Sequence, residues 1–188
     1  MLNGINYLFE REEISPAVVR NIMLYCLDCS NAEGVLGKRG TSRAAMMFLS
    51  NWLNGFGEAG QLSISSTYLS GEKVFLGRES RINDALKRGG VAVVRIFSDC
   101  DHYVLLTGIS GEDILVFDPY YEQGDSPHKD IVWVSDKPFS YNRIVPQAYF
   151  NRQTETIYAL GKLKEREAVL LFNERTKKTA EATIEYFI

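Results

Sequence analysis

His102, one of two histidines in the chain, opens an apolar run, and Asp118 closes the next one. From Asp101 to Tyr120 the stretch reads DHYVLLTGISGEDILVFDPY. An imidazole beside a carboxylate supplies a general base and the group that orients it, two of the three parts of a nucleophilic triad. Gly108-Ile109-Ser110-Gly111-Glu112 lies between two runs of β-branched and aliphatic residues, which predicts an antiparallel hairpin. His102 and Asp118 are 16 residues apart, with Ser110 midway. Residues equidistant from a turn centre lie opposite each other on one face. A hairpin turning about Ser110 therefore brings the two side chains together at strand ends, where a rigid element meets a cleft. The plainer explanation of the same residues is a strand-edge histidine beside an Asp118-Pro119 turn.

The nucleophile is harder to find. Cys26 and Cys29 form a lone C-x-x-C, but near the end of a helix, where the dipole disfavours a thiolate. A zinc site would need two further ligands, and the sequence has no second cluster. Cys100 shares a strand face with His102 but lies about 7 Å along it, too far for a direct thiol–imidazole bond. Asp99 and Asp101 flank it and raise a thiol pKa. Thr41 and Ser42 are better explained as helix caps. Gly34 to Ser42, GVLGKRGTS, lacks the spacing of a phosphate loop and follows no strand; Lys38 and Arg39 within it read as a solvated loop. His128 sits in a polar loop and reads as exposed. Tyr120, Tyr121, Trp133, Phe139 and Tyr141 read as core and strand packing, or else as the wall of a peptide-binding cleft.

These residues need elements to hold them. Leu2, Ile5, Leu8 and Phe9 share a helical face, in a pattern that starts with no capping residue before it. Ser15-Pro16 starts a second helix running to Leu27. Thr41 or Ser42 caps a third, which Gly55 and Gly57 end. From Gln61 the period becomes two. Leu62 to Tyr68 alternates, Lys73 to Leu76 is a short strand, and Ser80 to Lys87 is a helix ended by Gly89-Gly90. Val91 to Phe97 is an apolar strand buried on both faces. Ile131 to Val134, Thr156 to Leu163 and Glu167 to Phe172 read as further strands. Ala182 to Ile188 is apolar enough to dock, as strand or helix. Helices followed by mainly antiparallel strands make an α+β layout. It is a single domain over 1–188, with a helical half at 1–57 and a sheet half at 61–188.

Composition narrows the function classes. The 188 residues carry a net charge of −3, with 45% hydrophobic and 24% charged residues. Nothing electrostatic points to nucleic acid or to an anionic membrane. No run is long enough for a membrane span, and the first residues have no secretory pattern. Three cysteines without secretory context predict reduced thiols in a cytoplasmic protein. The oligomeric state stays open.

His-x-Val, an apolar run, Gly108 and a second run ending in Asp-Pro resemble the papain-like cysteine peptidases, closest to the bacteriocin-processing, double-glycine-leader peptidase group. The preceding helix with Ile82, Ala85 and Leu86, then Gly89-Gly90 and a buried strand, also fits. Gly40-Thr41-Ser42 resembles the family's helical half. The likeness spans Leu2 to Tyr121 and is specific between Ser80 and Tyr120. It implies a papain-like fold, an N-terminal helical layer packed on a mainly antiparallel sheet. It also implies acyl chemistry on a peptide or peptide-like substrate, with His102 as base and Asp118 as its orienter and no metal or cofactor. The family's cysteine stands at the N-terminus of its first helix in a Cys-Gly-Pro-like motif, with a Gln upstream for the oxyanion; this sequence has neither. Either a catalytic segment precedes Met1, or the nucleophile is lost and the scaffold holds peptides without cleaving them. The uncapped start favours the first, because bare helical N–H groups lack partners.

Overall fold

The structure, a computed structural model, describes residues 1–10, 14–120, 122, 124 and 126–179. Among these are four α-helices: α1 (Leu2–Leu8), α2 (Pro16–Tyr25), α3 (Arg43–Glu58) and α4 (Arg81–Lys87). Seven strands are present: β1 (Ile64–Ser70), β2 (Val91–Ser98), β3 (Cys100–Ser110), β4 (Asp113–Phe117), β5 (Val132–Trp133), β6 (Arg143–Pro146) and β7 (Glu167–Asn173). They form one sheet in the order β1-β7-β2-β3-β4-β6-β5, and every pairing is antiparallel. The architecture is α+β. No described helix is long and apolar enough to cross a membrane.

The sheet is covered on both faces. Val91 and Val93 of β2, with Leu105, Val169 and Leu171, meet α1, α2 and α3 through Ile5, Leu8, Val18, Ile22, Leu49 and Leu53. Ala92, Val94 and Ile96 point the other way, onto Ile82, Ala85 and Leu86 of α4 and onto Phe150 and Tyr158. A strand sandwiched in this way needs apolar residues at odd and even positions alike, which is why β2 reads as a continuous run. α4 is set by Ser80, whose hydroxyl accepts from the backbone of Ile82 and Asn83. α3 is set by Ser42 and not Thr41: the Ser42 hydroxyl accepts from Ala45 N at 3.0 Å. Thr41 Oγ1 instead accepts from Leu27 N at 3.0 Å.

Several local expectations are corrected. α3 runs through Gly55 and Gly57, and the turn falls at Gly60, whose φ is +72°. Gly57 serves close approach: a Cβ there would sit 1.9 Å from the carbonyl oxygen of Ile64, where the chain enters β1. Lys73 to Leu76 is no strand. A 3₁₀ turn over Gly71–Lys73 precedes it, and Val74 and Leu76 enter the α4-side core from irregular backbone. Thr156 to Leu163 is no strand either, because Tyr158 takes a left-handed backbone (φ +58°) that a strand does not allow. β6 went unread in the sequence. The α2 helix ends at Tyr25, short of Leu27, and its Met23 and Leu24 are exposed. Ala182 to Ile188 lies outside the described residues.

The two α3 glycines separate propensity from packing. Gly55 is exposed with open space around its Cβ position, so Gly55→Ala is expected to stabilise by about 0.5–1 kcal/mol. Gly57→Ala forces backbone apart and is expected to destabilise by about 1–3 kcal/mol. Denaturant titration of both variants checks the contrast; equal effects would mean that the α3–β1 approach is looser than described.

Candidate functional site

The β3–β4 hairpin does not turn about Ser110. Ser110 pairs with Asp113, so the turn is the two-residue loop Gly111-Glu112, with Gly111 at φ +62°. Next come Ile109 with Ile114 and Gly108 with Leu115. Continued to the strand ends, that register would set Asp118 across from Leu105, on the face away from His102. It does not continue. Thr107 is an extra residue on β3, and beyond it Leu106 pairs with Val116 and Leu105 with Phe117. The bulge shifts the register by one residue. One step further, Asp118 falls across from Val104, on the His102 face and two residues from it along β3. The pair therefore meets on the diagonal, and His102 Nε2 lies 2.7 Å from Asp118 Oδ1.

Asp118 lies one residue past the end of β4, so its backbone needs other partners. The side chain of Asn142 supplies both: its Oδ1 accepts from Asp118 N at 2.8 Å and its Nδ2 donates to Asp118 O at 2.7 Å. Asn142 N in turn donates to Val116 O at 2.9 Å. The carboxylate is buried. Besides His102, its Oδ1 accepts from Tyr120 N at 2.9 Å and its Oδ2 from the Tyr158 hydroxyl at 3.1 Å. The buried Arg143 guanidinium lies close by, donating to the carbonyls of Asn142 and Tyr120 and covering the Trp133 ring at 4.4 Å. A neutral imidazole that donates Nε2–H to a carboxylate presents an unprotonated Nδ1, the form a general base needs.

His102 is half-buried and lines a groove of about 660 Å³ between β3 and the α2–α3 loop. Cys29, Thr41, Ser42 and Arg95 line it as well, with Pro119 beside Asp118. Its floor carries Glu167, a fully buried carboxylate that accepts from Tyr103 at 2.6 Å and Tyr68 at 2.9 Å. Asp101 is paired with Arg95. Cys26 is beside Thr41, which lines the groove.

All three cysteines are free thiols. Cys29 reaches the groove, but burial and the Asp28 charge, to which it donates a hydrogen bond, push its thiol pKa up. Burial also pushes up Cys26. Cys100 is exposed in a separate hollow with Glu155 and Gly161. The hydroxyl of Ser42 donates to Asp28 Oδ2 at 2.5 Å, so capping occupies it. No group of His, Cys, Asp or Glu among the described residues is arranged to hold a metal ion. His128, read as exposed, is half-buried. The aromatic run is dispersed: Tyr120 and Phe139 are exposed, Trp133 packs on the core edge, and Tyr121 lies outside the described residues. Asn142 and Tyr158 escaped the sequence reading, since each reaches Asp118 from over twenty residues away and carries no local motif.

Asn142→Ala removes both backbone partners of Asp118 inside a buried site. It is expected to cost about 1–3 kcal/mol, the penalty of leaving buried polar groups unmet. Chemical denaturation checks this, and a loss no larger than that of an exposed substitution would show that Asn142 does not hold the strand end.

Compared with known proteins, the chain matches no family model and no curated protein sequence.

Proposed function

We propose that the chain is a cysteine-peptidase-like domain of papain-like fold, carrying the base and the orienter of a Cys-His-Asp site for hydrolysis or transfer at a peptide or related acyl bond. The observation that carries this reading is the 2.7 Å contact of His102 Nε2 with the buried Asp118, in the wall of a groove. Three helices on one face of an antiparallel sheet are compatible with the papain-like layout. In the reaction a thiol passes its proton to His102 Nδ1, and the sulfur attacks the carbonyl carbon. His102 then returns the proton to the leaving amine, and water releases the acyl group by the same route. Asp118 keeps the imidazole in the productive tautomer throughout.

None of the three cysteines supplies that thiol. Cys26 and Cys29 are held protonated, and Cys100 lies in another hollow. This reading requires a thiol other than these three, and the chain as given is expected to show no peptidase activity. The alternative is a peptide-binding domain that has lost its nucleophile. Free thiols at all three cysteines fit a cytoplasmic setting.

The gene separates the two readings. In-frame codons for a Gln and a Cys-Gly motif just upstream of Met1 are expected, and a stop codon there overturns the catalytic reading. In a form of the protein that carries that cysteine, iodoacetamide is expected to alkylate it at neutral pH. His102→Ala should slow it at least about tenfold, because an unpaired thiol loses its thiolate fraction. Equal rates would mean that no Cys–His couple exists.

A further inference from the structure

His102 touches only one oxygen of Asp118. The other, Oδ2, accepts from Tyr158, forty residues further along the chain. Tyr158 is buried, and its backbone lies in the left-handed region at φ +58°. A tyrosine holds that conformation only where its surroundings impose it. Here they do. Tyr158 N donates to Phe97 O and Phe97 N donates to Ala159 O, both at 2.8 Å, which ties the turn to the end of β2. Leu160 N donates to Phe150 O at 2.8 Å. The buried guanidinium of Arg166 braces the same segment, donating to the carbonyls of Gly161, Asn151 and Val74. The hydroxyl is thus placed by the backbone, independently of Asp118. Burial, and then the Asp118 charge, push the phenol pKa up, so the group stays a donor.

We propose that Tyr158 is the positioning residue of the His102–Asp118 pair: its hydroxyl stops rotation of the Asp118 carboxylate, so that Oδ1 stays on Nε2 and His102 keeps Nδ1 unprotonated. This rests on the reading of His102 as a base. The torsion of an aspartate carboxylate is broad and two-fold. With only Oδ1 held, by Tyr120 N and His102, the plane can rock. A donor fixed on Oδ2 removes that freedom. A purely structural tyrosine would fill the core with its ring and leave the tautomer unaffected.

Tyr158→Phe keeps the ring and removes the donor. With two histidines in the chain, imidazole nitrogen NMR resolves His102 without the missing thiol. Above the imidazole titration the unaltered chain is expected to show His102 almost wholly as the Nε2–H tautomer. In Tyr158→Phe the Nδ1–H form should rise about five- to tenfold, the worth of one hydrogen bond. Exchange of the Nε2 proton with water should quicken by a similar factor. Asp118→Asn is the reference. If it moves the tautomer and Tyr158→Phe does not, whatever the melting temperature does, the positioning role is overturned and the catalytic reading stands. If Asp118→Asn moves nothing, Asp118 does not orient His102 and both fall. Should Tyr158→Phe fail to fold, the unaltered chain decides. Its Tyr158 hydroxyl proton must be slow enough in exchange to be seen against His102 and Asp118, and a freely exchanging hydroxyl overturns the proposal.

Discussion

Side chains alternate along a strand, so a hairpin offset by one residue turns every side chain beyond it to the other face. The site depends on one such offset. From the Gly111-Glu112 loop to Gly108 the β3–β4 ladder is in a register that would part His102 from Asp118. The extra residue at Thr107 reverses the parity. The inner register alone would leave the pair on opposite faces. The turn sets Leu115 and Ile114 correctly on the sheet, and the bulge resets the outer end so that His102 meets Asp118. Gly108 beside the bulge leaves room on this ladder, since a Cβ there would meet the Leu115 side chain at 3.2 Å.

Sequence-distant strands hold that hairpin in place. β7, the last described strand, lies between β1 and β2 and is buried along its whole length. The sheet therefore closes only once Glu167 to Asn173 has inserted between strands far earlier in the chain, forming pairs such as Ile64 with Asn173 and Val94 with Ala168, a non-local topology of the kind that folds slowly. The insertion also delivers groups to the site. Glu167 becomes the groove floor under Tyr68 and Tyr103. Arg166, one residue before the strand, gathers three carbonyls and fixes the segment that bears Tyr158.

What could be read from the sequence followed the range of the signal. Caps and short-range periodicity placed α2, α3, α4, β2 and β7 to within a few residues, because Ser15-Pro16, Ser42, Ser80 and the β2 run act locally. The His102–Asp118 contact was legible for a partly mistaken reason. The midpoint at Ser110 is wrong by one and a half residues, yet an even offset remains, because bulge and turn shift compensate. Gly57 was misread as a stop because its demand comes from Ile64, across an α–β contact. Asn142 and Tyr158 could not be found locally: one replaces a ladder partner and the other is a core aromatic whose hydroxyl alone matters.

The groove's own electrostatics argue for separating base and nucleophile. Its carboxylates are satisfied internally, Glu167 by two tyrosines and Asp101 by Arg95. Asp28 is engaged by Ser42 N and Oγ at the head of α3. These groups stabilise the scaffold, but negative charge beside Cys29 keeps its thiol protonated. A nucleophile grown from the α2–α3 loop would work against its surroundings. His102, tied to Asp118 through Nε2, turns its second nitrogen away from that carboxylate.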